Sequence, residues 1–109
     1  MKRFILLLFT ISVLASCADN SPDQGGQVSN EEDMVTYGRG IYESNCLLCH
    51  GSRGNANLKG AKDLTVTKMD ETAIGDLVYH GKGGMPAFNE KLGEPEINAV
   101  AKYVLTLKK

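Results

Sequence analysis

Tryptophan is absent from this chain of 109 residues, aromatic side chains make up only 6% of it, and proline occurs three times. A domain so poor in large rings cannot fill a core with aromatic mass. A chain this short also buries only a modest fraction of its surface, so a staple beyond side-chain packing is expected. Excess charge is missing too: 12 Lys and Arg stand against 13 Asp and Glu, which is no footprint for nucleic acid. No run of alternating β-branched residues marks a half-buried strand. The apolar run Phe4 to Leu14 falls well short of the roughly 20 residues that span a bilayer as a helix. Cysteine is scarce, three in all, which makes the position of each informative.

Two of the three fall in Cys46-Leu47-Leu48-Cys49-His50. That order of residue types is what covalent attachment of a c-type haem requires. Two thiols must reach the two vinyl groups of one porphyrin edge, and an imidazole must reach the iron at its centre. On a helical turn Cys46 and Cys49 lie on one face and His50 follows four after Cys46, so His50 is the expected proximal ligand. A redox dithiol of the thioredoxin kind would need a strand-helix-strand context, which the flanking sequence lacks. A zinc site would need four ligands, and beyond this motif only His80 and Cys17 are on offer.

From about Met34 to the C-terminus the chain resembles the small class I cytochromes c. Three separated motifs carry the resemblance. Gly38-Arg39-Gly40-Ile41-Tyr42 followed by Cys46 to Gly51 is similar to the family's first helix and haem-attachment turn. Gly81-Lys82-Gly83-Gly84-Met85-Pro86-Ala87-Phe88 is similar to the loop that delivers a methionine sulfur to the iron. Glu96 to Val104 is similar to the closing helix. The resemblance implies an all-α fold of three to four helices around one haem c held through Cys46 and Cys49, with His50 and Met85 as axial ligands. It also implies that the last helix crosses closely at Gly38, with Tyr42 packed against Val100 and Tyr103. Many members have a proline where Lys62 stands, two residues before Leu64, and its carbonyl orients the proximal imidazole. A lysine keeps that carbonyl on a looser backbone.

Met85 can also be weighed from the residues. A thioether is a soft neutral donor, and a His/Met pair raises a haem potential. Met1 is the start residue, Met34 lies too close to the attachment motif, and Met69 adjoins Asp70 at an expected helix start. Only Met85 follows a glycine-rich loop that can fold back, with Pro86 fixing the backbone after it. His80, just before Gly81, stays open as the rival sixth ligand.

The N-terminus reads as an address. Lys2 and Arg3 precede the apolar run, and Leu14-Ala15-Ser16-Cys17 resembles the lipobox of bacterial lipoproteins, which implies acylation at Cys17. Residues 1–16 are then a signal peptide, 17–33 a lipidated cysteine and flexible acidic tether, and 34–109 the cytochrome c domain. The sixteen residues from Ala18 to Asp33 carry five acids and no base. As a flexible coil they would average roughly 20–25 Å end to end.

Within the domain, Asn30 with Asp33, or Ser29 with Glu32, can cap a first helix reaching the attachment turn. A second is expected from Asp70 until Gly81 stops it, with Ile74, Leu77 and Val78 on one face. A last begins near Pro95 and carries Ile97, Val100, Ala101 and Val104. These apolar stripes are read as core. Residues Gly51 to Lys68 are expected to be irregular. The domain has ten Lys or Arg against eight Asp or Glu, and Arg53, Lys59, Lys62 and Lys82 are placed to ring an exposed haem edge.

The expected function is outer-sphere transfer of single electrons between a redox-protein donor and acceptor, with no enzyme activity, no small-molecule substrate and no nucleic acid. The expected place is the extracytoplasmic side of a bacterial envelope, on a membrane through Cys17. A haem enzyme or sensor with an open sixth position, peroxidase or gas-binding, is the alternative, followed by a haem-free dithiol or zinc module. Substituting Cys17→Ser is expected to convert membrane-bound protein into soluble protein on cell fractionation; continued sedimentation with membranes would refute lipidation at this residue.

Overall fold

The computed structural model describes residues 30–109. The expected signal peptide, Cys17 and the expected tether up to residue 29 lie outside them. The described residues form four α-helices and two single 3-10 turns. Their only β-type pairing is an isolated bridge between Lys82 and Met85. None of their helices is long and apolar enough to cross a membrane.

Helix α1 spans Glu31–Asn45. Asn30 caps it, its Oδ1 accepting from the Asp33 amide at 2.8 Å, which settles the choice between the two expected caps. Acids at Glu31, Glu32 and Asp33 complement the positive end of the helix dipole. The helix breaks at Cys46, and a single turn, α2 (Leu47–His50), follows it. Two 3-10 turns, Leu58–Gly60 and Leu64–Val66, interrupt the irregular stretch. Helix α3 (Glu71–His80) starts from Asp70, whose side chain accepts from the Ala73 amide, and ends at Gly81. Helix α4 (Glu94–Thr106) starts one residue before Pro95. Gly93 is its N-cap and has no side chain to offer, so the Glu96 carboxylate reaches back to the Gly93 amide at 2.6 Å.

Helices α1 and α4 pack as the main pair, and α3 lies against α4. Their contact is close because Gly38 sits on the α4 backbone: a Cβ there would fall on the Ala99 carbonyl. One turn further on, Tyr42 is fully buried, its ring 5.2 Å from that of Tyr103 and tilted by 59°. Its hydroxyl donates to the Gly51 carbonyl at 2.7 Å, so a buried polar tip is satisfied while it ties α1 to the end of α2. Ile41, Ile97, Val100, Ala101 and Val104 complete this part of the core. At the far end of α1, Lys102 bridges Glu31 on α1 and Glu71 on α3 at 3.0 and 3.2 Å. Pairs that keep this much contact with solvent add little energy next to the helix crossing.

The crossing yields a paired prediction. Gly38→Ala should destabilise the haem-loaded protein by roughly 1–3 kcal/mol or more through overpacking. Gly40→Ala, in the same helix with nothing within 4 Å of the added methyl, should stabilise it by about 1 kcal/mol. Urea unfolding of both variants measures the difference, and equal effects would remove the crossing from its place in the fold.

Candidate functional site

The break after α1 is what gathers the attachment residues. Cys46 donates its amide to the Tyr42 carbonyl at 2.8 Å, and its own carbonyl accepts from Cys49 at 3.2 Å and His50 at 3.0 Å. Cys46, Cys49 and His50 thereby share the wall of one cavity of about 630 Å³. Burial, and secondarily the neighbouring Cys49 sulfur, pushes the Cys46 thiol up to about 11. The two thiols are unbonded to each other. A thiol that stays protonated at neutral pH is the opposite of the depressed thiol an exchanging dithiol needs. Nor do three or more His, Cys, Asp or Glu side chains gather into a metal site among the described residues.

The imidazole of His50 is oriented by the main chain. Its Nδ1 lies 3.0 Å from the Lys62 carbonyl. A carbonyl can only accept, so Nδ1 carries the proton and Nε2 keeps the lone pair that a metal would take. Lys62 itself is held by its neighbours. The Leu64 amide donates to the Gly54 carbonyl at 2.8 Å, and the Asp63 carboxylate accepts from the Thr65 amide at 2.8 Å and from its hydroxyl at 2.6 Å.

Met85 lines the same cavity from a segment remote in sequence. Lys82 and Met85 exchange two backbone hydrogen bonds, at 3.1 and 3.0 Å, and the Phe88 amide donates to the Val78 carbonyl at 3.0 Å, pinning the loop onto α3. Gly81 makes this return possible. Its φ is +68°, and a Cβ there would stand 2.6 Å from the Ala87 nitrogen and the Met85 oxygen. His80 is directed elsewhere: it is exposed, stacks edge-on with Tyr79 at 4.8 Å, and lines a separate hollow between α3 and α4.

Other side chains take on a role that periodicity alone does not reveal. Ile74, Leu77 and Val78 of α3 and Val100 and Val104 of α4, read from sequence as core, also line the cavity. Met69, set aside at a helix start, lines it as well. Lys59, Lys62 and Lys82 are lining residues, whereas Arg53 is not. No sequence signal separates a stripe that packs on protein from one that packs on a cofactor; both repeat at helical spacing.

Residues 33–104 match the family described as cytochrome c oxidase, cbb3-type, subunit III. Cytochrome c6 of Gloeothece citriformis is 31% identical over 96% of this chain and 94% of its own length. The chain belongs to the cytochrome c family. The cbb3-type cytochrome c oxidase subunit FixP of Azorhizobium caulinodans is 31% identical over 86% of this chain, which spans only 34% of that subunit. Among solved structures, the c-type cytochrome SorU of Sinorhizobium meliloti is 38% identical with a TM-score of 0.59, covering 70% of this chain and 92% of its own.

Cytochromes of this family bind haem c covalently, and the cavity fits such a group. Its volume falls in the range of about 300–1,000 Å³ typical of cofactor pockets. Its walls are largely apolar, and thiol, imidazole and thioether donors line it together. A hollow of that size through so small a core cannot stay dry and open without its cofactor. Haem-free Cys46→Ser/Cys49→Ser protein is expected to melt broadly by circular dichroism, where the haem-loaded protein melts in one sharp transition. A sharp, cooperative haem-free melt would contradict this.

Proposed function

We propose that this chain is a membrane-tethered, mono-haem electron carrier that passes single electrons between redox proteins on the extracytoplasmic side of a bacterial envelope. Residues 1–16 act as a lipoprotein signal peptide, Cys17 bears the lipid, residues up to 33 form the tether, and residues 34–109 carry the haem. Cys46 and Cys49 would hold the haem through thioether links, and His50 and Met85 would supply the nitrogen and sulfur donors to its iron. The observation that carries this reading is the convergence on one cavity of the attachment turn, the Lys62-held imidazole and the Met85 loop.

Bound haem supplies a one-electron iron couple. The chain's part is to hold that couple still and dry. His50 keeps its tautomer through the Lys62 carbonyl, so its ring need not reorient between oxidation states. Met85 sits on a loop closed at both ends by backbone hydrogen bonds, which opposes loss of the sulfur. The aliphatic wall from α3 and α4 excludes water, and a low local dielectric favours the less charged ferrous form. Were His50 and Met85, which line one cavity, both to bind the iron, no position would be left for a substrate, as a carrier requires and a peroxidase or gas sensor does not.

Protein matured in a host with haem-attachment machinery is expected to give a c-type reduced-minus-oxidised visible spectrum. When oxidised, it should also show the far-red band of methionine-sulfur ligation. Met85→Ala should erase that band, lower the potential and let the ferrous form bind carbon monoxide at neutral pH, while Met69→Leu should leave all three unchanged. A band that survives Met85→Ala would assign the sixth position to another residue, and ready carbon monoxide binding by the unaltered protein would favour the open-site haem protein.

A further inference from the structure

The His50 imidazole leans on the carbonyl of Lys62, a residue whose φ no ring restricts. Its support comes from further along the chain. In the 3-10 turn Leu64–Val66 the usual order of burial is inverted: the polar Thr65 is inside, 4% exposed, while the apolar Val66 beside it is 69% exposed. A hydroxyl buried in that way must be bonded. Every polar group of Thr65 is engaged, since its amide and hydroxyl both donate to Asp63 Oδ1, at 2.8 and 2.6 Å, and its carbonyl accepts from the Lys109 amide at 3.0 Å. That last bond comes from the chain leaving α4, not from the loop.

Leu107, also beyond the end of α4, adds an apolar hold. The buried Gly54 has a φ of +76°, and a Cβ on it would stand 3.1 Å from both Leu107 Cδ1 and Leu64 Cβ, so the three residues are in close contact. The turn is thus fastened twice, with Gly54 holding Leu64 and the exit of α4 holding Thr65. Thr65, Leu107 and Lys109 do not line the cavity. Their route to it runs through Asp63 to the Lys62 carbonyl, 3.0 Å from His50 Nδ1.

We propose, resting on the electron-carrier reading, that Thr65 is a positioning residue for the iron couple: clasped between Asp63 and the exit of α4, it aims the Lys62 carbonyl at His50. A carbonyl held on the Nδ1 proton raises the basicity of the ring, which makes Nε2 the stronger donor and favours ferric iron. Slack in the clasp removes that bias. The potential of the carrier is then set in part by a hydroxyl outside the cavity wall.

The haem-loaded protein is compared with Thr65→Val, which keeps the branched shape and loses the hydroxyl, with Thr65→Ser, which keeps the hydroxyl, and with Leu107→Ala, which loosens the hold from α4. Two readouts follow the imidazole: the reduction potential, and exchange of the His50 Nδ1 proton with deuterated water, by NMR of the ferrous protein. Thr65→Val and Leu107→Ala should speed exchange about tenfold, as loss of one net hydrogen bond would. Both should also raise the potential, shifting the ferrous-to-ferric ratio at least about twofold, roughly 18 mV at 59 mV per decade for one electron. Thr65→Ser should restore both values. Ile97→Val, a core substitution outside the cavity wall, should lower stability in urea and move neither. Unchanged exchange, or an unchanged or lowered potential, in Thr65→Val would overturn the proposal whatever its effect on stability. Equal changes in Ile97→Val, or changes in Thr65→Ser as large as in Thr65→Val, would overturn it too. If Thr65→Val fails to mature with haem, Leu107→Ala decides on the same two readouts. Failure of the carrier reading would show separately in the unaltered protein, as the lack of a c-type spectrum or as ready carbon monoxide binding.

Discussion

The close crossing of α1 and α4 is the constraint on which the remaining geometry depends. With no room for a side chain at Gly38, the two helix backbones meet and fix the angle between them. Tyr42 then has one place to go, between Tyr103 and the Gly51 carbonyl. Because Gly51 directly follows His50, that one hydroxyl transmits the position of the helix pair to the attachment turn. Val100 and Val104, on the same stretch of α4, line the same cavity as the turn. Scaffold and site are therefore set by the same contact, and nothing between them is long enough to flex independently.

A small domain organised in this way lets its cofactor serve as core. The chain has no tryptophan and few other aromatics, yet it sets aside a cavity of about 630 Å³. What a larger protein would fill with Phe and Trp is here a cavity of a size to take the covalently bound haem of this family. This explains why the aliphatic side chains on α3 and α4 serve both purposes. They pack on each other where the helices touch and line the cavity where they part, and the sequence period is the same in both places.

Local signals in the sequence were legible where chemistry is local. Asn30 as one of two expected caps, Asp70 as a helix start, Gly81 as the stop of α3 and the Cys46 to His50 spacing are each decided within one turn of chain, and the structure has Asn30 and Asp70 as N-caps and α3 ending at Gly81. Gly38 and Tyr42 were reached through resemblance, and the packing bears that out, because a glycine's tertiary role depends on a helix sixty residues away. That Met69 also lines the cavity was unreadable for the same reason: its neighbour Asp70 advertises a helix start, as the structure has it, and nothing nearby says that the preceding side chain turns inward. The rivalry of His80 and Met85 was likewise undecidable from spacing. Only the return of the loop onto α3 separates them, placing Met85 in the large cavity and His80 in a different hollow.

The lysine at position 62 shows what the fold asks of its loop. A proline there would restrict φ and hold the carbonyl toward His50 by its own stiffness. Lysine gives up that restriction, but the bond to His50 comes from the main chain and needs no particular side chain. The lost stiffness is replaced downstream: Leu64 is anchored to Gly54, and Asp63 closes the next turn on Thr65. Ligand orientation thus passes from one rigid residue to a short hydrogen-bonded segment, and the side chain at 62 becomes available to the surface. In a carrier, that exchange trades backbone stiffness beside the proposed iron ligand for an exposed positive charge that lines the same cavity, where it adds to the field an approaching partner would meet.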